Sequence, residues 1–339
     1  MRLEFDRMEI DSERIKNMQI TFRKDIDENP IFHYTSIGGL QGIVSKGMLR
    51  FTNIKYMNDR DEVNAGLESI AKAYGISKAD FRPFDFMDAE SQNFVCCFSL
   101  EQDSLPMWNY YTKEINNQGY NIEFDDKTLV ESILYHNPCL NGCNIAFGMV
   151  DYSESNDSKY STTIRNATTS SLHFAFSSLC LAINKNNQKK LGIDESIIEE
   201  CEKQVADAKK KSEIEPPPIY GFNGTKCSFD RTPLENYVCF IKRDCFKQER
   251  EFRVVISVPN DQLDRLKEEK VYSFRIGNGA LIPQLELKFS VDVIKSITIS
   301  PTVQSDLVEQ SIKDFTTYCG LHIDDYTKFI KKSNVPVRF

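Results

Sequence analysis

The sequence lacks any apolar run that approaches the roughly 20 residues needed to span a bilayer. The segment Phe94–Leu100 is typical of its longest apolar runs. Its first residues mix acids and bases, which predicts neither a secretory signal nor a transit peptide. We therefore expect a cytoplasmic protein with no membrane partner. The 10 cysteines, several of them inside apolar runs, predict reduced, buried thiols and not a disulfide framework.

The chain also lacks an excess of positive charge. Lys and Arg number 42 against 50 Asp and Glu, which gives a formal net charge of −8. This balance argues against sequence-independent binding of nucleic acid, which depends on neutralising phosphates. With 40% hydrophobic and 27% charged residues in 339, the composition is that of an ordinary globular protein with a real core.

Common catalytic motifs are absent as well. The sequence has no GxGxxG, GxxxxGK[ST], GxSxG or HExxH pattern, and only 4 histidines. His136, Cys139 and Cys143 form the one group with metal-like spacing, but no second cysteine pair completes a zinc site. We therefore expect no resident metal.

Short β-prone segments alternate with helical ones along the chain. Strands are predicted at 31–35, 48–53, 94–100, 120–124, 145–152, 237–241, 252–258, 271–276, 285–289 and 294–299. Helices are predicted near 36–47, 61–74, 106–114, 303–319 and 324–331. This order predicts an α+β fold, with a mixed, largely antiparallel sheet and flanking helices. We expect an N-terminal arm or helix over 1–29 and a single domain over 30–339, with a helical insertion near 155–235.

Three groups of residues invite a chemical interpretation. His33 lies in a β-prone run, where it is either a satisfied core histidine or a ligand contact that donates to a hydroxyl. The alternation of Glu249, Glu251 and Arg253 fits either a solvated strand edge or a site carboxylate held by an ion pair. Trp108, the only tryptophan, fits a core position better than a ligand platform.

Taken together, these residues resemble the bacterial family called domain of unknown function 2971. The matching positions, in order, are His33–Ser36, Asn58 and Asp59 with Glu62, Cys97–Ser99, Met107 and Trp108 with Tyr111 and Gly119, Lys242, Glu249 with Glu251 and Arg253, and Ser333 with Pro336 and Arg338. The resemblance implies a role in phage defence or a toxin system, with a possible partner protein from a defence operon.

A second resemblance is to the ADP-ribosyltransferases. It rests on a β-prone run with His33 and Thr35, a short helix, and then Lys46-Gly47-x-Leu49 leading into another strand. The resemblance implies a split, mixed sheet that clamps NAD, which is consumed as a substrate. It also implies that His33 contacts the adenosine-side ribose and that Tyr34 or Tyr56 stacks on nicotinamide.

The same resemblance implies that Glu251 is the catalytic acid and that Glu249 helps to choose the acceptor. Thr35, Asn58, Ser99, Trp108 and Tyr111 are further expected NAD contacts. The pyrophosphate needs positively charged donors, which Arg50, Arg253 or Lys242 would provide. We therefore expect an enzyme that transfers ADP-ribose to a macromolecular acceptor, protein or nucleic acid, or hydrolyses NAD. The alternatives are a catalytically silent sensor or partner-binding module, and a Mg²⁺-dependent nuclease built on Asp59, Glu62, Glu249 and Glu251.

Overall fold

The computed structural model describes residues 19–22, 30–57, 91–112, 118–140, 143–152, 195, 199, 202–203, 219–220, 226–227, 239–277 and 279–336. Of the predicted N-terminal arm or helix over 1–29, only residues 19–22 are described, and they form a strand of the main sheet. Nearly all of the predicted insertion near 155–235 lies outside the described residues, as do Asn58, Asp59, Glu62 and the predicted helix at 61–74.

The described part of the chain is mixed α and β. Its strands are β1 (Gln19–Phe22), β2 (Pro30–Ser36), β3 (Met48–Asn53), β4 (Ser91–Ser99), β5 (Gly119–Asp125), β6 (Asn144–Met149), β7 (Asp151–Tyr152), β8 (Ile219–Tyr220), β9 (Lys226–Cys227), β10 (Ile241–Lys242), β11 (Glu251–Pro259), β12 (Tyr272–Gly277), β13 (Ala280–Lys288), β14 (Ile294–Ile299) and β15 (Ile330–Lys332). Its helices are α1 (Ile37–Lys46), α2 (Leu105–Tyr111), α3 (Asp126–His136), α4 (Leu263–Glu268), α5 (Val308–Tyr318) and α6 (Tyr326–Phe329).

An 11-stranded sheet organises the molecule. Its main path runs β1-β6-β11-β4-β2-β5-β14-β15, and a branch of β3, β13 and β12 joins at β4. The pairs β1–β6 and β14–β15 are parallel, and the other pairs of this sheet are antiparallel. The expectation of a mixed, largely antiparallel sheet with flanking helices is confirmed.

Strand β4 is where the sheet divides. One edge of β4 pairs with β11 along its whole length. On the other edge, Ser99 pairs with Phe32 of β2, whereas Val95 pairs with Thr52 of β3. Strands β2 and β3 therefore part along the middle of β4 and leave a fork in the sheet.

Helix α1 connects the two strands that form the fork. The Ser36 side chain accepts a hydrogen bond from Gly39 N at its start, and Gly47 ends it in the left-handed conformation with φ 56°. A Cβ at Gly47 would lie 2.8 Å from the Phe289 carbonyl oxygen, so glycine is required there both for space and for φ. The inner face of the helix, formed by Leu40, Ile43 and Val44, packs against the core. This packing holds the end of β2 and the start of β3 in place.

Strand β11 is buried throughout Glu251–Val258, because strands flank it on both edges, and this excludes the solvated strand edge considered for Glu251 and Arg253. Two local predictions were wrong. The segment predicted as a helix at 324–331 forms only α6 before turning into β15. A strand was predicted at 237–241, but residues 239–240 form a turn and the strand β10 begins only at Ile241. None of the helices in the described residues combines the length and apolar character that a bilayer crossing requires.

Candidate functional site

A cleft of about 200 Å³ lies at the fork between β2 and β3. We call it the fork cleft, and it is lined by Phe32, His33, Tyr34, Arg50, Thr52, Met57, Val95–Phe98, Met107, Tyr111, Glu249, Glu251 and Arg275. His33 and Glu251 are far apart in the chain, and the topology brings them together because β2 and β11 flank β4 on opposite edges. Both residues border the fork cleft, but strand register places them on opposite faces of the sheet: Glu251 shares the face of Ser99 and Phe32, whereas the His33 ring packs against Phe98 on the other face.

Glu249 and Glu251 line one side of the fork cleft, and with two buried cations that do not line it, Lys242 and the predicted NAD contact Arg253, they form a cluster that we call the paired wall. The Lys242 ammonium lies 2.7 Å from Glu249 Oε2 and 3.0 Å from Glu251 Oε2. Arg253 donates from Nε to Glu251 Oε1 and from Nη2 to Oε2, both at 2.9 Å. Its Nη1 donates to the Cys239 carbonyl at 2.6 Å. The formal charges of the four side chains cancel.

The backbone explains how two glutamates meet one lysine. A 3₁₀ helix over Asp244–Glu249 ends at Arg250, which adopts the left-handed conformation with φ 40°. Strand β11 starts at the next residue, so Glu249 and Glu251 lie on either side of this bend. The Tyr152 hydroxyl accepts a hydrogen bond from Glu251 N at 2.9 Å and fixes the start of the strand.

Burial and charge separate the two carboxyl groups chemically. Burial alone opposes ionisation of Glu251, but Arg253 and then Lys242 outweigh it and lower the pKa of that carboxyl to about 2. Burial raises the pKa of Glu249 above its usual value, against the attraction of Lys242. Glu251 is therefore a fixed anion, and Glu249 is the member of the pair that takes up a proton more readily.

His33 is held by the backbone of β4. Its Nδ1 lies 3.0 Å from the Cys97 carbonyl oxygen, which can only accept, so Nδ1 carries the proton. Burial lowers the pKa of His33, which keeps the imidazole neutral. Its Nε2 is then a hydrogen-bond acceptor, which reverses the donor role that the sequence interpretation gave to this ring.

The other predicted site residues divide between the fork cleft and the packing around it. Arg50 and Tyr111 line the cleft. Tyr34 also reaches it, but its hydroxyl donates to the Glu101 carbonyl at 2.8 Å, and its ring packs edge-on against Trp108. Trp108 is 2% exposed, does not line the cleft and donates from Nε1 to Asp103. The two aromatic side chains therefore support the cleft wall formed by α2.

Three further predicted contacts do not line the cleft. Ser99 is fully buried and donates to the Glu249 carbonyl at 2.7 Å, which ties β4 to the 3₁₀ helix. Thr35 lies against Gly39 at the start of α1, and a Cβ on that glycine would overlap its hydroxyl. Tyr56 is exposed and lies outside the cleft lining.

The structure adds two residues to which the sequence analysis gave no role in the site, although Cys97 lies among the positions that match the family. The Cys97 side chain lines the cleft and hydrogen-bonds the Glu251 carboxylate. Arg275 reaches the cleft from β12, a strand that the sequence analysis predicted without assigning it a site residue. No local sequence pattern marks Arg275 as a site residue. Its place in the cleft lining depends on the pairing of β12 with β13, of β13 with β3 and of β3 with β4.

Residues 107–254 match the model of a family described as "Protein of unknown function (DUF2971)". The predicted resemblance to that family is thereby confirmed, and the matched region includes the whole paired wall together with Tyr111. His33, Arg50 and Arg275 lie outside the matched region. No curated protein and no solved structure matches the chain.

Proposed function

We propose that this chain, whose residues 107–254 belong to the DUF2971 family, cleaves the bond between nicotinamide and ribose in NAD. The ADP-ribose would then pass to a macromolecular acceptor or to water, within an ADP-ribosyltransferase-like fold. The observation that carries the proposal is that Tyr111, Glu249 and Glu251 line the fork cleft together, with His33 bordering it from the other face of the sheet. The division of the sheet at β4 supports it, because the resemblance to ADP-ribosyltransferases implies a split sheet.

The chemistry calls for a stable negative charge beside the ribose. Breaking this glycosidic bond passes through an oxocarbenium-like state, so positive charge grows at the anomeric carbon. A carboxylate that remains ionised interacts more strongly with that state than with the ground state, and this difference accelerates the reaction. Glu251 meets the requirement, because Arg253 holds both of its oxygens and keeps its pKa low.

Glu249 suits proton transfer better than charge stabilisation. Its pKa is raised by burial, so its basicity is closer to that required of a group that accepts a proton at neutral pH. Its Oε2 is bound by Lys242, and the Tyr111 hydroxyl also hydrogen-bonds the carboxylate. In this proposal Glu249 takes the proton from the attacking hydroxyl, amine or water while Glu251 faces the ribose.

The size of the cleft indicates which half of NAD is enclosed. Pockets for small molecules usually measure about 300–1,000 Å³, and the fork cleft at about 200 Å³ is smaller. The nicotinamide riboside end fits this enclosed part, and the phosphates extend along the sheet. His33 Nε2, as an acceptor, would receive a hydrogen bond from a ribose hydroxyl.

Two alternatives remain of interest. Buried ion pairs of this kind also occur as purely structural features, which is what a silent sensor or partner-binding module would contain. A nuclease site on Glu249 and Glu251 is less favoured, because the Lys242 ammonium already lies between the two carboxylates where a cation would bind. A role in phage defence or a toxin system, with an operon partner, is proposed from the family resemblance alone.

The test is to incubate the purified chain with doubly labelled NAD and cell extract, and to measure nicotinamide release and labelled macromolecules. We expect release by the wild type and a fall of about a hundredfold or more in Glu249→Gln. Glu268→Gln, at an exposed position on α4, is the matched control and keeps the wild-type rate. A folded wild type that releases no nicotinamide with any extract would favour the silent module.

A further inference from the structure

The side of the fork cleft away from the glutamates carries arginine side chains that, unlike Lys242 and Arg253, are not buried. We call it the open wall, and it consists of Arg50 and Thr52 on β3 with Arg275 on β12. Arg50 has a side chain that is 60% exposed, and its Nε contacts Glu286 Oε1 at 3.3 Å. Arg275 makes no hydrogen bond or ion pair with any other residue that the structure describes. An arginine that lines a cleft beside two carboxylates, with no charged partner of its own, is available to bind a ligand.

Gly277 leaves space for this guanidinium. Positions 275 and 277 face the same side of β12, and a Cβ at Gly277 would lie 2.8 Å from Arg275 Nη1. The same Cβ would lie 2.8 Å from Ile282 Cδ1 on the paired strand. The position of Arg275 therefore depends on the absence of a side chain two residues later.

We propose that Arg275, assisted by Arg50, binds the pyrophosphate of the dinucleotide in the fork cleft. The proposal rests on the proposed function and extends it to the phosphate-binding part of the site. Arginine suits this role because its planar guanidinium binds two phosphate oxygens at once. The pyrophosphate is placed on the open wall because the cations of the paired wall are already bound to Glu249 and Glu251, whereas Arg275 has no charged partner among the described residues.

The binding test uses three ligands that differ in phosphate content: inorganic pyrophosphate, ADP-ribose and nicotinamide riboside. Calorimetric titration of the wild type is compared with Arg275→Gln, Gly277→Ala and the control Lys288→Gln. Lys288 is exposed on the adjacent strand β13 and does not line the cleft, so this control removes one positive charge elsewhere.

We expect Arg275→Gln to weaken the binding of pyrophosphate and ADP-ribose about tenfold or more, because a charged hydrogen bond is lost. Gly277→Ala should weaken both by a smaller factor while it keeps every charge. Nicotinamide riboside should bind all variants equally, and Lys288→Gln should bind all ligands like the wild type.

Two results would overturn the proposal. One is pyrophosphate affinity in Arg275→Gln within twofold of the wild type, or no pyrophosphate binding by the wild type. The other is an equal loss of nicotinamide riboside binding, which would make Arg275 a general support of the cleft.

The nicotinamide-release assay separates this proposal from the proposed function. If pyrophosphate binding depends on Arg275 but NAD is not cleaved, the anion site is supported and the proposed enzymatic function is contradicted. If NAD is cleaved and Arg275→Gln leaves the KM for NAD unchanged, the enzymatic function is supported and the anion site is contradicted.

Discussion

Arg275 lines the fork cleft, Arg253 is buried behind the cleft-lining Glu251, and the surroundings of the two arginines differ completely. Arg253 is fully buried, and its guanidinium binds both oxygens of Glu251 and the Cys239 carbonyl. Arg275 is half-buried and makes no ion pair within the described residues. A buried charge must be compensated within the protein, so Arg253 is committed to positioning Glu251. The partly solvated charge of Arg275 needs no protein partner and is free to bind a ligand.

Replacing the buried arginine should have the largest effect on stability. Arg253→Met leaves Glu251 as a buried anion with only Lys242 beside it. We expect the free energy of unfolding to fall by about 3–5 kcal/mol, measured by chemical denaturation. The matched change on the open wall, Arg275→Met, should alter it by less than about 0.5 kcal/mol. Equal losses in the two variants would remove the distinction between the walls.

Replacing the glutamate should have the next largest effect. On a solvated strand edge, Glu251→Gln would be nearly neutral for stability. The side chain is only 4% exposed and binds two cations, so we now expect a loss of about 1–3 kcal/mol in the free energy of unfolding. A melting temperature equal to that of the wild type would show that the cluster tolerates an unbalanced charge.

The pH dependence of these losses should differ between the two glutamates. The folded pKa of Glu251 is lowered, so its contribution is complete above the unfolded value of about 4.3 and disappears as the pH falls towards about 2. The pKa of Glu249 is higher in the folded state than in the unfolded state, so the folded state binds the proton more tightly. The free energy of unfolding therefore rises as the pH falls through the interval between these two pKa values. The destabilisation by Glu251→Gln should therefore shrink in acid, while that by Glu249→Gln should grow. Denaturant titrations between pH 7 and about pH 3 measure both, and parallel profiles would contradict the assignment.

The smallest expected effect belongs to Arg50. Its side chain is 60% exposed and shares Glu286, so Arg50→Gln should weaken pyrophosphate binding only a few-fold. Calorimetric titration under the conditions used for Arg275→Gln compares the two arginines directly. A larger loss in Arg50→Gln than in Arg275→Gln would transfer the main phosphate contact to β3.

Local pattern was sufficient to predict much of the fold. The β-branched residues within 294–299 and the alternation at 48–53 predicted β14 and β3 with their observed bounds. The glycine at position 47 correctly marked the end of α1. Helix α3 was missed, although Asp125 caps it and accepts a hydrogen bond from Thr128 N at 2.9 Å. Its buried residues Leu129, Val130, Ile133 and Leu134 recur at helical spacing, so the local signal for this helix was present and was overlooked.

The site was predictable only where its residues are close in sequence. Glu249, Glu251 and Arg253 stand together in the chain, and the ion-pair alternative for them matches the geometry of the cluster. Their burial was not predictable, because it depends on the strands that flank β11. Arg275 and the proton position on His33 depend on strand pairing and on one carbonyl of β4, neither of which has a local sequence signal.

The most direct test of the central claim is the rate of nicotinamide release at saturating NAD, measured for the wild type and Glu251→Gln below the melting temperature of both. We predict that the variant still binds nicotinamide riboside but releases nicotinamide about a hundred to a thousand times more slowly, because it lacks the fixed anion. Equal release rates in the two folded proteins would contradict the account.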